Sequence, residues 1–227
     1  MDQAVCFLGD SIGKGVIYDE KRSKYSIVKD SFVNLMADKL SVSVRNLSRF
    51  GITVSDGISR FSKNIGELEA CQMVMLEFGG NDCDFIWSEV SAEPDADHEP
   101  KVNIRDFVQL YRLLINKIKA SGKTPVLFNL PPVDHKKYFS WISRDLNASN
   151  ILKWLGGSSE FIYRWHELYN NAIYKIAQSE NVKLIDVRSV FLTQRDYTRY
   201  LCQDGIHPNE QGHNLIADAA IKALQTT

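Results

Sequence analysis

The sequence has no apolar run approaching the roughly 18–20 residues that a membrane-spanning helix requires. Its start, from Met1 to Gly9, lacks the basic stretch and apolar core of a secretory leader. The expectation is a cytoplasmic protein without a membrane span. Cysteine is scarce: Cys6, Cys71, Cys83 and Cys202 are scattered, with no CxxC pair. In a reducing compartment they read as free thiols, not as a disulfide framework. No Cys or His cluster has metal-ligand spacing, so no metal is expected. An excess of charge is missing too, with 27 Lys and Arg against 28 Asp and Glu. That balance argues against a nucleic-acid binder that relies on a strong basic field. There is no internal repeat and no low-complexity stretch.

What is present is an ordinary globular composition, 44% hydrophobic and 24% charged over 227 residues. Length allows one large domain or two small ones; the expectation is a single domain over 1–227. Apolar runs that suit buried parallel strands fall at 4–8, 42–47, 73–78, 125–130 and 182–187. Helical periodicity falls between them. Asp30 and Ser31 can cap a helix running to about Leu40, and others cover 53–61, 104–119, 161–177 and 209–224. Strand and helix thus alternate, which implies a five-stranded parallel sheet covered on both faces. Right-handed crossovers make this a three-layer α/β/α sandwich. Two segments interrupt the pattern: 83–103, rich in acid, and an insertion at 131–160. Both follow the C-terminal ends of strands, where open α/β sheets bind ligands.

Several motifs sit at those strand ends. Gly9-Asp10-Ser11 ends the first strand. A Ser at such a turn either exposes its hydroxyl as a nucleophile or simply caps a short helix. Gly13-Lys14-Gly15 fails the spacing of a phosphate loop. Near the other end, Asp204-Gly205-Ile206-His207-Pro208 puts an Asp three residues before a His. The Asp can fix the tautomer of an imidazole that deprotonates a nearby Ser, or cap a turn beside a surface His. Between them, Asn81 in Gly79-Gly80-Asn81-Asp82 offers a side-chain amide to an oxyanion, or is a turn residue. Gly51 offers a backbone N–H that a ligand can approach closely, or is likewise a turn residue.

The conjunction is stronger than its parts. Ser11, Gly51, Asn81 and the Asp204–His207 pair each follow a different predicted strand, in that order. In this the chain resembles the SGNH hydrolases, also called the GDSL esterase/lipase family, over nearly its whole length. Gly9-Asp10-Ser11-Ile12 departs from the first block only in having Ile for the usual Leu. The resemblance implies a flavodoxin-like sandwich with strand order 2-1-3-4-5. It implies Ser11 as nucleophile, His207 as general base and then acid, and Asp204 as the group orienting His207. It implies an oxyanion hole of the Ser11 N–H, the Gly51 N–H and the Asn81 amide, with Asp10 holding the turn. No metal or cofactor is needed.

The function so implied is a serine esterase acting through an acyl-enzyme on a small or short-chain acyl ester, such as an O-acetylated sugar. The alternatives are a lysophospholipase- or thioesterase-type acyl hydrolase, or a non-catalytic carbohydrate- or acyl-binding protein on the same fold. The partner expected is a small-molecule ester, and a homo-oligomer stays open. In the insertion, Trp141 and Trp154 are candidates to line the substrate pocket as part of a cap; the other reading is that they pack a small core or a dimer contact. His135 and His166 are read as structural or exposed, and Asp82 with Asp84 as only a superficial metal pair.

Overall fold

The structure is a computed structural model that describes residues 4–225; residues 1–3 and 226–227, part of the span expected to form one domain, lie outside them. In chain order its elements are β1 (Ala4–Gly9), the one-turn helix α1 (Ser11–Lys14), β2 (Val16–Asp19), β3 (Lys24–Ile27), α2 (Phe32–Leu40), β4 (Ser43–Asn46), α3 (Val54–Lys63) and β5 (Cys71–Glu77). After these come α4 (Trp87–Ala92), α5 (Ile104–Ala120), β6 (Thr124–Phe128), α6 (His135–Ser143), α7 (Ala148–Trp154), α8 (Glu160–Ser179), β7 (Lys183–Ile185), α9 (Val187–Leu192) and α10 (Glu210–Gln225).

The main sheet has the order β4-β1-β5-β6-β7, and every pairing in it is parallel. Counted among these five strands alone, the order is 2-1-3-4-5. The chain numbering differs because an antiparallel hairpin, β2–β3, stands apart between β1 and α2. That hairpin escapes a reading by periodicity, since its strands are short, half-exposed and joined by the charged run Asp19-Glu20-Lys21-Arg22.

Alternation along the strands builds the layers, because successive side chains of a strand point to opposite faces. Cys6, Leu8, Val74, Leu76 and Leu127 pack into one core with Phe61 of α3, Phe107 and Tyr111 of α5, and Tyr169 and Ile173 of α8. Val5, Phe7, Met75, Val126 and Phe128 pack into the other with Phe32 and Met36 of α2, Phe191 of α9 and Ile216 of α10. The central strands β1, β5 and β6 are thus buried on both faces, which explains their nearly continuous apolar sequences, whereas the edge strand β4 is half-exposed.

Caps set several helix starts. The Ser31 side chain accepts from the Asn34 N–H at the start of α2, so Ser31 and not Asp30 is the cap. Asn103 does the same for α5 through the Asp106 N–H. The 131–160 insertion folds as α6 and α7. They share a third core with α4, built around Phe85, Val90, Tyr138, Ile151 and Leu155. This core covers one side of the sheet's C-terminal edge.

Candidate active site

At that edge β1 ends and the chain turns sharply into α1. Asp10 caps the turn: its Oδ1 accepts from the Ile12 N–H at 2.9 Å. The Asp10 and Gly13 N–H groups both donate to Glu77 Oε2 of β5, at 3.3 and 3.2 Å. Ser11, at the first position of α1, is held in a fixed place by these bonds on either side of it.

The residues at the far end of the chain return to Ser11. His207 Nε2 lies 2.8 Å from Ser11 Oγ, and His207 Nδ1 lies 2.6 Å from Asp204 Oδ2. Asp204 Oδ1 also accepts from the Ile206 and His207 N–H groups, so one carboxylate fixes both the turn and the ring. Burial alone would raise the Asp204 carboxyl; hydrogen bonds and charge from His207 outweigh it and hold the group below the usual carboxylate range. Gly205, between them, has φ +76°, and a Cβ there would meet Asp134 O and Tyr138 N, each at 2.7 Å. Glycine is required on both counts. The Gly205 carbonyl accepts from the Asp134 N–H at 2.8 Å, which ties this turn to the start of the insertion.

The other sequence-predicted residues reach the same place. Ser11, Gly51, Asn81 and His207 line one cleft of about 360 Å³. Asn81 donates one amide hydrogen from Nδ2 to Asp10 Oδ2 at 2.9 Å, which orients the amide and leaves its second hydrogen for a ligand. Gly51 has φ +75° with open space where a Cβ would stand, so backbone conformation is what selects glycine there. Trp141 lines the cleft, packing against Tyr18 at 4.5 Å with the Arg144 guanidinium 4.0 Å over its ring. Trp154 does not line it. That ring packs among Phe85, Trp87, His98 and Phe161, in the core that the insertion shares with 83–103 and the start of α8. The cap reading of Trp154 is corrected accordingly: helical spacing placed its apolar face inward.

Sequence reasoning missed two aromatic neighbours of His207. Tyr25, from β3, approaches the imidazole edge-on at 5.3 Å, and Phe50 stacks on it at 6.0 Å. Adjacency to Gly51 was a usable signal for Phe50. Tyr25 has none, because the short, half-exposed strand that carries it leaves no periodic pattern. Asp84, another cleft residue, accepts from Tyr138 Oη, Trp87 Nε1 and Lys101 Nζ, joining 83–103 to the insertion. Asp82 instead accepts from the Val54 N–H, so the two aspartates do different work. Among the described residues, no group of three or more His, Cys, Asp or Glu could hold a metal ion, the four cysteines are free and buried, and no helix is long and apolar enough to cross a membrane.

Two further carboxyls lie beneath the site. Burial and the neighbouring Asp10 hold Glu77 well above the usual carboxylate range. Burial raises Asp82 to about 7, and its Oδ2 has no partner. A folded-state pKa raised in this way gives stability that is complete below the unfolded value near 4 and is lost as pH rises toward about 7. Asp82→Asn keeps an acceptor for Val54 and does not titrate. Its stability relative to the native chain should therefore rise by roughly 2–4 kcal/mol between about pH 4 and about pH 8. Urea unfolding across that range measures this, and a pH-independent difference would refute it.

Comparisons with known proteins bear on the family and the fold. The family model described as GDSL-like Lipase/Acylhydrolase matches residues 7–215. A relative from Bacillus subtilis (strain 168), called an uncharacterized esterase, YxiM, is 26% identical over 202 residues, 83% of this chain. The chain spans 43% of the length of that relative. A lipase/acylhydrolase from Enterococcus faecalis superposes with a TM-score of 0.71 at 18% identity, over 99% of this chain and 96% of its own. A catalytic mutant of an acetylxylan esterase from Geobacillus stearothermophilus gives 0.67 at 18% identity, over 99% and 95%. At such identities these two structures share the fold.

Proposed function

The chain belongs to the GDSL-like lipase/acylhydrolase family, and from that premise we propose that it hydrolyses carboxylic esters through an acyl-enzyme on Ser11. What supports this reading is the pair of short contacts from Ser11 Oγ to His207 Nε2 and from His207 Nδ1 to Asp204, at the wall of a cleft.

Ser11 Oγ attacks the ester carbonyl carbon while its proton passes to His207 Nε2. The imidazolium so formed is stabilised by the Asp204 carboxylate. The carbonyl oxygen becomes an oxyanion, received by the Ser11 and Gly51 N–H groups and the free amide hydrogen of Asn81. Collapse breaks the bond to the alkoxy oxygen, which leaves as alcohol with the proton from His207. Water then attacks the acyl-Ser11 ester with His207 again as base, giving the carboxylic acid and free Ser11. Asn81→Ala removes one oxyanion donor and should cost on the order of 10²–10³ in kcat. Full turnover by a folded Asn81→Ala protein would remove that residue from the hole.

The cleft volume, about 360 Å³, sits toward the small end of ligand pockets. It supports a small carboxylic ester, an O-acetylated sugar included. The apolar wall of Leu130, Pro131, Val133, Ile142, Phe161 and Ile162 favours a second reading, an acyl chain of several carbons as in a lysophospholipase or thioesterase. Hydrolysis of p-nitrophenyl acetate, butyrate and octanoate separates them. Highest kcat/KM with acetate or butyrate is the expected result. A rise continuing to octanoate, at ~0.8 kcal/mol per buried methylene, would move the reading to the second. No turnover of any of the three by folded protein would favour a non-catalytic binding role.

A further inference from the structure

One wall of the cleft carries a polar group that the acyl-transfer chemistry does not use. His166, on α8, lines the cleft and is only 6% exposed. Its Nδ1 lies 3.4 Å from Arg188 Nη1. A guanidinium can only donate, so Nδ1 must accept, and the ring proton must sit on Nε2. Arg188 is itself buried, 3% exposed: its Nη2 lies 2.7 Å from Glu167 Oε2, and the two hydrogens of Nη1 are shared among His166 Nδ1, Leu130 O at 3.3 Å and Pro131 O at 3.5 Å. Its guanidinium also lies 5.1 Å over the Tyr163 ring. Burial and the Arg188 charge both hold the imidazole well below its ordinary pKa, hence neutral. Among the described residues, His166 Nε2 has no protein partner, and it is not among the unpartnered polar atoms sealed from solvent, unlike His213 Nε2. The apolar residues Leu130, Pro131, Phe161, Ile162 and Trp165 line the same cleft.

We infer that His166 is a specificity-determining residue: its Nε2–H receives a hydrogen-bond-accepting oxygen, a keto, ether or hydroxyl oxygen, on the acyl or alcohol part of the ester bound against this wall. The inference rests on the ester-hydrolase reading of the cleft and narrows its substrate class. A wholly apolar chain in this place would bury the donor without a partner, whereas a chain with a matching oxygen satisfies it. The tautomer needs no rearrangement on binding, because Arg188 sets it beforehand.

The test uses two pairs of esters matched in shape. On the acyl side these are p-nitrophenyl 4-oxopentanoate and p-nitrophenyl 4-methylpentanoate. On the alcohol side they are 2-ethoxyethyl acetate and pentyl acetate. In the native protein, one pair should show a kcat/KM preference of about tenfold for the oxygen-bearing member, beyond the ratio of the uncatalysed rates. His166→Phe fills the ring volume without a donor. It should bring that preference to about unity while the apolar ester is still turned over. His166→Gln, whose amide can accept from Arg188 and still donate to the cleft, should restore part of it. The inference is overturned if neither pair shows a preference in the native protein, or if the preference survives in His166→Phe. Should His166→Phe not fold, a His166→Gln protein is compared with His166→Leu in the same way. Failure of the esterase reading is distinguishable, because then no ester of either pair is hydrolysed and a fluorophosphonate does not label the native protein.

Discussion

Ser11→Ala should lower kcat on p-nitrophenyl esters by roughly 10⁴–10⁶-fold while the fold is kept. The side chain lost is a single hydroxyl, and the bonds that shape its turn run through the Ile12, Gly13 and Asp10 N–H groups, not through Ser11 Oγ. Thermal unfolding should therefore change little. What disappears is the only hydroxyl within hydrogen-bond reach of His207 Nε2 among the contacts of the described residues. The residual rate expected comes from the oxyanion donors and substrate positioning, which act on attack by water as well. A folded Ser11→Ala protein retaining more than about a tenth of the activity would place the nucleophile elsewhere.

Asp204→Asn should cost about 10⁴ in kcat, and the reason is a proton, not a shape. Asp204 accepts three N–H bonds, from His207 Nδ1 and from the backbone of Ile206 and His207. An Asn can keep its oxygen on the two backbone groups. Its amide nitrogen then faces His207 Nδ1 and donates to it. That forces the ring proton onto Nε2, where it blocks acceptance from Ser11. The effect should fall on kcat far more than on KM, since nothing in the cleft wall changes. Steady-state kinetics on p-nitrophenyl butyrate check this. An Asp204→Asn protein within tenfold of the native rate would show that His207 needs no partner to fix its tautomer.

The fold was legible wherever burial imposed a period. The central strands β1, β5 and β6 are buried on both faces, so each reads as an apolar run; the half-exposed edge strand β4 is marked only by Val42, Val44 and Leu47, and the strand order followed from the family resemblance. Ser31 announces α2 because cap chemistry is local. The β2–β3 hairpin was not legible: four-residue strands that are half-exposed along most of their length leave no two-residue period to read. The short helices of the insertion lie below the length at which helical periodicity separates from chance.

At the site, the residues that belong to motifs with fixed spacing, Ser11, Asn81 and the Asp204–His207 pair, could be named from sequence. Their neighbours could not. Tyr25 and Phe50 meet His207 through contacts between residues far apart in the chain, as Glu77 meets the Ser11 turn. Trp141 and Trp154 show the limit well. Both are tryptophans of one insertion, yet one faces the cleft and the other the insertion's core, and composition does not distinguish them. The donor face of His166 likewise depends on Arg188, which lies 22 residues further along the chain.

The proposed reaction turns on the activation of Ser11 as a nucleophile by His207. Its most direct test is reaction of the native protein with a fluorophosphonate, followed by peptide mapping with mass spectrometry, beside a His207→Ala protein treated in the same way. One adduct is expected on the native chain, on the peptide at Ser11, with labelling slowed by orders of magnitude in His207→Ala. An adduct on any other residue, or equal labelling of both proteins at Ser11, would contradict it.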